Sequence, residues 1–427
     1  MMSGKLQPVR GTRDLLWGEC RKYEHIRNVA SEIAERYGFL PIQTPIMEHQ
    51  EVFSKTLGDA TDIVGKEMYL FPDRGGDNLV LRPEFTAAIA RLFICENLQL
   101  PAKLFTEGPV FRYERPQKCR QRQFHQINFE QIGVAGSAAD TEMILLAWSI
   151  LGALDLGGKV VLEINSLGDP ASMAAYKEKL QDYLKKHHQS LSEESQRRLS
   201  TNPLRILDSK NDKDIPIVSA APVVTDFYDV NAKQAFDDVK ANLDKLEVQY
   251  VVNPRLVRGL DYYGGLVFEF KTTCLGTQDA VIAGGRYDGL ISMMGGPFTP
   301  AVGFAGGVER LAALFDYSKE HRFCVAILPI CEEATGLVLL VAHKLRMAGI
   351  KVACDYAIVK LKSGLKNANK LAADVALIFG EEELSRAAVS CKHMATGKQE
   401  EVSMENLVRY LLSVANDLGM TVNFDVF

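Results

Sequence analysis

The chain has 427 residues, 47% hydrophobic and 24% charged, with a formal net charge of −5. That length holds two or three domains, the composition argues against disorder, and the negative total requires any nucleic-acid-binding surface to be local. No apolar run approaches the roughly 20 residues needed to cross a bilayer, and the N-terminus, MMSGKLQPVRGTRDLL, lacks a signal-peptide core.

The cysteines at 20, 95, 119, 274, 324, 331, 354 and 391 form no C-x-x-C pair. This spacing argues against a zinc site or a disulfide framework and suits free thiols in a reducing cytoplasm. Residues 20–37 repeat apolar side chains at helical spacing (Tyr23, Ile26, Ala30, Ile33, Ala34, Tyr37), and Gly38 closes the helix. FLPIQTPIME then reads as extended, its prolines suiting an edge. In LRPEFTAAIAR, residues 81–91, Glu84 and Thr86 stand two apart. Taken alone, Glu84 serves equally well as a charge at a helix N-terminus.

LFTEGPVFRYE and FHQINFEQIG read as the strands of a hairpin joined by the basic loop RPQKCRQRQ. Arg112 and Glu114 share one face if the first strand runs through them, and Gln126 and Glu130 share one face of the second. By itself, Arg-x-Glu on a strand is as readily a solvated ion pair. A helix is expected over 138–156 and a strand over 159–165. The segment 170–250 is mostly helical and charged, and is expected to be an insertion packed beside the core.

LVRGLDYYGGLVFEF (256–270) and IAGGRYDGL (282–290) place Arg258, Asp261, Tyr262, Tyr263 and Tyr287 in apolar, glycine-punctuated runs. An apolar strand has no need of a guanidinium and three phenols. A pocket for a small charged ligand does, although each tyrosine singly could be a core aromatic. In AVGFAGGVERLAAL (301–314) a strand meets Gly306-Gly307 and then a helix, with Arg310 in its first turn. Such glycines let backbone approach a ligand. Neither a P-loop nor G-x-G-x-x-G occurs.

From Arg322 the pattern becomes strand (FCVAILPI), helix (332–348), strand (IKVACDY), helix (360–371) and strand (DVALIFG). This is a small α/β domain with a largely parallel core, and two more strands follow. Lys360, Lys362, Lys366 and Lys370 fall on one helix with no acid between Asp355 and Asp374. Phosphate contact and a plain solvated face are both open readings.

On these segments the chain resembles the histidyl-tRNA synthetases, a family of class II aminoacyl-tRNA synthetases. The first helix with FLPIQTPIME resembles motif 1, the basic hairpin motif 2, and AVGFAGGVERLAAL motif 3. The two tyrosine-bearing segments resemble the family's histidine signatures. The resemblance implies an α+β catalytic domain over 1–321, with an antiparallel class II sheet and a helical insertion at about 170–250. An α/β anticodon-binding domain would follow over 322–427. It further implies a cytoplasmic, homodimeric histidine–tRNA ligase that uses ATP with Mg²⁺ to charge tRNA(His), with no membrane partner.

Carried onto this sequence, the family's roles give Arg112 and Arg258 to catalysis. Glu84 and Thr86 would take the α-ammonium group of histidine, Gln126 its amino and carboxylate end, and Glu130 one imidazole nitrogen. Tyr263 would face the other nitrogen, with Tyr262 and Tyr287 lining the pocket, while Arg258 would hold the carboxylate and α-phosphate. Arg112, Glu114, Arg120, Arg122 and Arg310 would hold ATP. Arg115 and Gln117 would meet the acceptor end of tRNA, where the family reads an extra 5′ guanosine, and the four lysines its phosphates.

Two departures stand out. Phe85 replaces the usual glycine of R-P-E-G-T and is expected to point away from the pocket. Gly264-Gly265 replace bulkier polar residues. A synthetase-like regulatory subunit of ATP phosphoribosyltransferase is the rival reading, but such paralogues usually lack the last domain and have degraded ATP motifs, whereas Arg112, Arg310 and the region after Arg322 are present here. An RNA-sensing synthetase-like module would normally belong to a much longer chain.

Overall fold

Helix α1 (Trp17–Arg36) buries Ile26, Ala30, Ile33 and Ala34, the 3.6-residue stripe expected of a surface helix. It ends in a Schellman turn: Phe39 N–H donates to Ala34 C=O and Gly38 N–H to Glu35 C=O, both at 2.9 Å, with Gly38 at φ +76°. This computed structural model describes residues 6–57, 63–117, 119–260, 262–276, 279–315, 322–420 and 422. The chain divides into two compact units, Met1–Tyr317 and Ser318–Phe427. The expected boundary at 321/322 adjoins residues 316–321, which lie outside the described residues.

After α1 come β1 (Leu40–Pro41), β2 (Met47–His49), α2 (Gln50–Leu57), β3 (Tyr69–Pro72), β4 (Asn78–Leu81) and α3 (Thr86–Glu96). The single extended stretch expected from FLPIQTPIME is thus two strands in different sheets. β1 pairs parallel with β5 (Ala102–Phe111) at the edge of the main sheet, whereas β2 joins β4 and β3 in a three-stranded sheet. The rest of the unit contains β6 (Gln123–Ile132), α4 (Ser137–Ala153), β7 (Val161–Ser166), α5 (Pro170–Lys186), α6 (Glu193–Thr201), α7 (Ile215–Ser219) and α8 (Val230–Lys245). It ends with β8 (Val251–Val252), β9 (Leu266–Lys271), β10 (Ala280–Arg286), α9 (Leu290–Met293), β11 (Ala301–Gly307) and α10 (Val308–Leu314).

The main sheet has the order β1-β5-β6-β11-β10-β9-β7-β8. Its six central strands run antiparallel, and only the short edge strands β1 and β8 pair parallel. Strand alternation sorts the side chains. On β6, Ile127 and Phe129 enter a core shared with α1, α4 and α10, while Ile132 joins a second core with α3 and α9 on the opposite face. Gln126, Asn128 and Glu130 share that second face.

The segment expected as one insertion is divided by packing. Helices α5 to α7 enclose their own core, including Tyr176, Leu180, Leu184 and Ile206, which reaches Val267 of β9. Helix α8 instead buries Phe236, Val239 and Leu243 in the main core beside α4.

The second unit contains β12 (Cys324–Pro329), α11 (Ala334–Met347), β13 (Lys351–Cys354), α12 (Leu361–Lys370), β14 (Val375–Phe379), α13 (Glu381–Ser385), β15 (Ala388–His393), β16 (Gln399–Ser403) and α14 (Leu407–Asp417). β13, β12 and β14 are parallel, and β15 and β16 extend the sheet antiparallel. Helix α12 approaches the sheet closely: a Cβ on Gly364 would lie 3.1 Å from Leu328 Cδ2. Lys362, Lys366 and Lys370 stand exposed at four-residue intervals, while Lys360 is the N-cap and not, as expected, part of the helix.

Candidate active site

Strand β5 ends at Phe111, three residues earlier than its sequence pattern implies, so Arg112 and Glu114 lie beyond the strand and not, as expected, on it. Arg112 N–H still donates to Arg122 C=O at 2.9 Å, which carries the pairing into the loop. The Arg112 Nε donates to Pro83 C=O at 2.9 Å, and its guanidinium lies 5.4 Å from the Phe124 ring. Glu114 pairs with Arg120.

Arg112, Glu114, Arg120 and Phe124 line a cavity of about 310 Å³, with Gln126 on its β6 wall and Arg258, Glu269 and Arg310 facing it. Arg310 projects from the first turn of α10 and donates to Ala280 C=O at 2.6 Å. Burial pushes Arg112, Arg120 and Arg310 below their usual basicity; Glu67 and Glu84 oppose this at Arg112, and neighbouring arginines reinforce it at Arg310. Guanidiniums start so basic that all remain cationic.

Arg258 does not stand among apolar groups alone. It pairs with Glu269 of β9, which also lies 3.4 Å from Lys271, and its guanidinium sits 5.6 Å from the Tyr263 ring. Asp261, the acid nearest in sequence, lies outside the described residues. Glu269 escaped sequence reasoning, although an acid at the centre of LVFEFK is a signal: Phe268 and Phe270 face the main core, so Glu269 must face the cavity.

Beyond the cavity lining is a buried polar cluster. Glu130 is fully buried, accepts from Thr86 Oγ1 at 2.5 Å, and takes a second hydrogen bond from the Tyr287 hydroxyl. Burial pushes its pKa up to about 8, more than these bonds lower it. Tyr262, Tyr263 and Tyr287 pack with ring centroids 4.6 to 6.4 Å apart. The phenol hydrogen-bonded to Glu130 is that of Tyr287, which was expected only to line the pocket. Glu84 accepts from the Thr86 and Ala87 N–H groups at 2.6 and 2.8 Å at the start of α3. Its pKa is raised by burial and restrained by those bonds. Phe85 is fully buried, against the Arg82 guanidinium at 4.3 Å.

One residue expected at the nucleotide stands elsewhere. Arg122 does not line the cavity: it stacks on Tyr113 at 3.7 Å and donates to the Glu114 and Arg10 carbonyls. Arg115 is exposed on the loop, and Gln117 is bridged to Arg120. The arginine of R-Y-D, Arg286, is clamped at 2.7 Å by Asp140 and 2.9 Å by Asp288. Conversely, Glu67, Arg205 and Glu309 line the cavity without having been singled out in the sequence. Glu309 accepts from the His125 backbone N–H at 3.0 Å. Among the described residues, no group of three or more His, Cys, Asp or Glu is placed to hold a metal ion. Among them, too, no helix is long and apolar enough to cross a membrane.

The family model described as histidyl-tRNA synthetase matches residues 11–311, and that described as anticodon binding domain matches 324–413. The histidine–tRNA ligase of Anaplasma marginale (strain Florida) is 62% identical over 411 residues, covering 96% of this chain and 95% of that one. The histidine–tRNA ligase of Ehrlichia ruminantium (strain Gardel) is 52% identical over 413 residues, covering 96% and 99%. The crystal structure of apo histidyl-tRNA synthetase from S. aureus superposes with a TM-score of 0.79 at 32% identity, covering 95% of this chain and 99% of that one.

Proposed function

The chain belongs to the histidyl-tRNA synthetase family, and from that premise we propose that it activates histidine with ATP and transfers it to the 3′ end of tRNA(His). The observation that carries this reading is the pairing of buried Glu130, hydrogen-bonded by Thr86 and Tyr287, with an arginine-lined cavity on the same sheet face. A buried carboxyl among phenols suits a small ring with two polar edges, and crowded guanidiniums suit phosphates.

In this reading histidine enters between the tyrosine cluster and the cavity. Glu130 holds one imidazole nitrogen and Tyr263 the other, with Tyr262 and Tyr287 packed around the ring. Gln126, whose buried Oε1 lacks a hydrogen-bond partner among the described residues, takes the amino end together with Glu84 and Thr86. The α-carboxylate attacks the α-phosphorus and pyrophosphate departs. Arg112 and Arg258 stabilise the charge that builds on phosphorus. Arg120 and Arg310 hold the rest of the nucleotide, Glu114 is the candidate for the adenine amino group, and Arg122 supports the loop from behind.

The lining fits Mg²⁺ carried largely by phosphates, because the Glu67 carboxylate lines the cavity as a hard oxygen ligand. When bound there, the ion would neutralise phosphate charge. Exposure supports Arg115 and Gln117 of the loop as contacts for the acceptor end of tRNA, and the lysines on and beside α12 as contacts for its phosphates. A homodimer is supported by edge strand β1, which leaves Leu40 exposed for a second copy to cover. A cytoplasmic location agrees with the free thiols. ATP–pyrophosphate exchange measured with each of the amino acids tests the reading: histidine alone should support it, and exchange with another amino acid, or with none, would sink it.

A further inference from the structure

The helical insertion reaches the cavity through one cation. Arg205 sits on the short 3₁₀ turn Pro203–Ile206 and lines the same cavity as Arg112, Arg120, Arg258 and Arg310. Its guanidinium rests against the backbone of Gly259: a Cβ there would overlap Nη1 and lie 3.4 Å from Cζ. A glycine at 259 is what leaves room for the cation. The turn is held from behind, with Ile206 and Leu207 in the insertion's own core. Beside it, Ser209 donates to the fully buried Asp214 at 2.6 Å, and Asp214 also accepts from Ser192 and Ser195. Arg205 is therefore mounted on the insertion, whereas Arg112 and Arg120 stand on the hairpin loop, Arg258 on the segment leading into β9 and Arg310 on α10.

The cavity wall holds five guanidiniums against the carboxylates of Glu67, Glu114, Glu269 and Glu309. Glu114 pairs with Arg120, Glu269 with Arg258 and Lys271, and Glu309 with His125, while Asp208 beside the turn also feels Arg205 and Arg258. The charge of Arg205 is felt at Arg120, where with Arg112 it adds to the effect of burial in lowering basicity. Like charges gathered in a partly desolvated space repel unless an anion lies between them. A chain of phosphates is such an anion, and a planar guanidinium matches its oxygens.

We propose that Arg205 is a nucleotide-binding residue that contacts the outer phosphates of ATP and so couples occupancy of the cavity to the position of the insertion. This rests on the cavity being the ATP site, as proposed above. Linkage makes the coupling reciprocal: whatever draws the insertion toward or away from the sheet changes ATP affinity by the same factor.

The test uses the full chain with Arg205→Gln and Arg205→Lys. ATP affinity is measured by calorimetry without histidine, and KM for each substrate by pyrophosphate exchange. Loss of a charge-assisted phosphate contact should weaken ATP on the order of tenfold, leave the histidine KM within twofold, and be partly restored by lysine. Hydrogen exchange of 203–209 should slow on adding ATP to the unaltered chain and not to Arg205→Gln. A folded Arg205→Gln with unchanged ATP affinity overturns the proposal, as does an equal loss for ATP and histidine, which marks a mere brace. If that variant does not fold, Gly259→Ala displaces the guanidinium without touching the insertion's core. The same selective loss is expected there, and unchanged ATP affinity overturns the proposal. A chain that binds ATP but shows no histidine-dependent exchange would defeat the ligase reading, while the calorimetric comparison of Arg205 variants would still decide the role of Arg205.

Discussion

Gly303 of β11 stands directly opposite Glu130 of β6, and the absence of a side chain at 303 is what gives the Glu130 carboxyl its place. A Cβ on Gly303 would overlap Oε2 and lie 2.5 Å from Glu130 Cδ and 2.6 Å from the Phe129 carbonyl oxygen. Gly303→Ala should therefore destabilise the catalytic unit by about 1–3 kcal/mol, the usual cost of overpacking a core. It should also raise the histidine KM far more than the ATP KM, because the displaced group is the carboxyl and not an arginine. Urea unfolding and exchange kinetics measure the two effects, and a histidine KM within twofold of the parent would exclude this view of Gly303.

Glu130→Gln should weaken histidine at least tenfold and ATP less than twofold, since only histidine would touch it. It should also change the dependence of stability on pH. Burial raises the folded-state pKa of Glu130 to about 8, whereas an unfolded chain releases that proton at about 4.3. Between these values the native state holds a proton that the unfolded state lacks, so the contribution of Glu130 is complete below about pH 4.3 and is lost as pH rises toward 8. Scanning calorimetry from pH 5 to 8.5 should show Tm falling more for the parent than for Glu130→Gln. Parallel curves would mean that the carboxyl is ionised throughout.

Arg258→Ala should lower the exchange rate by about 10²–10³, the range for removing one preorganised charge contact at a transition state. The pairing with Glu269 adds a stability cost of about 1–3 kcal/mol from a nearly buried carboxylate left short of partners; Lys271, 3.4 Å away, limits it. Near-parental exchange in a folded Arg258→Ala would remove Arg258 from the chemistry.

A chain ending at residue 321 should fold and make histidyl-adenylate yet charge tRNA poorly. All the activation residues lie in the first unit, and the second has its own core of α11, α14 and the β12–β16 sheet. Neutralising Lys360, Lys362, Lys366 and Lys370 in the full chain should flatten the salt dependence of tRNA binding. Charging as efficient as that of the full chain would refute the tRNA role of the second unit, and a folded but exchange-inactive truncation would show that the second unit supports the first.

Local patterns were legible without coordinates because they depend on short-range geometry. The spacing of four that puts Gln126 and Glu130 on one face follows from the two-residue period of a strand, and the glycine that ends α1 follows from a backbone turn at positive φ. The α/β alternation after Arg322 declared the second unit in the same way. Tertiary structure decided the choices that turn on distant partners. Arg286 and Arg258 look alike in sequence, but Asp140 and Asp288 clamp the first while Glu269 holds the second at the cavity wall. Arg120 and Arg122, two apart on one loop, go to the cavity and to Tyr113 respectively. α8 leaves the insertion for the main core, and Arg205 enters the cavity from the insertion. Ion-pair partners and the face taken by a loop or a helix are set by which surfaces meet after the chain has collapsed. Such contacts join residues up to more than a hundred positions apart, beyond the reach of any local period.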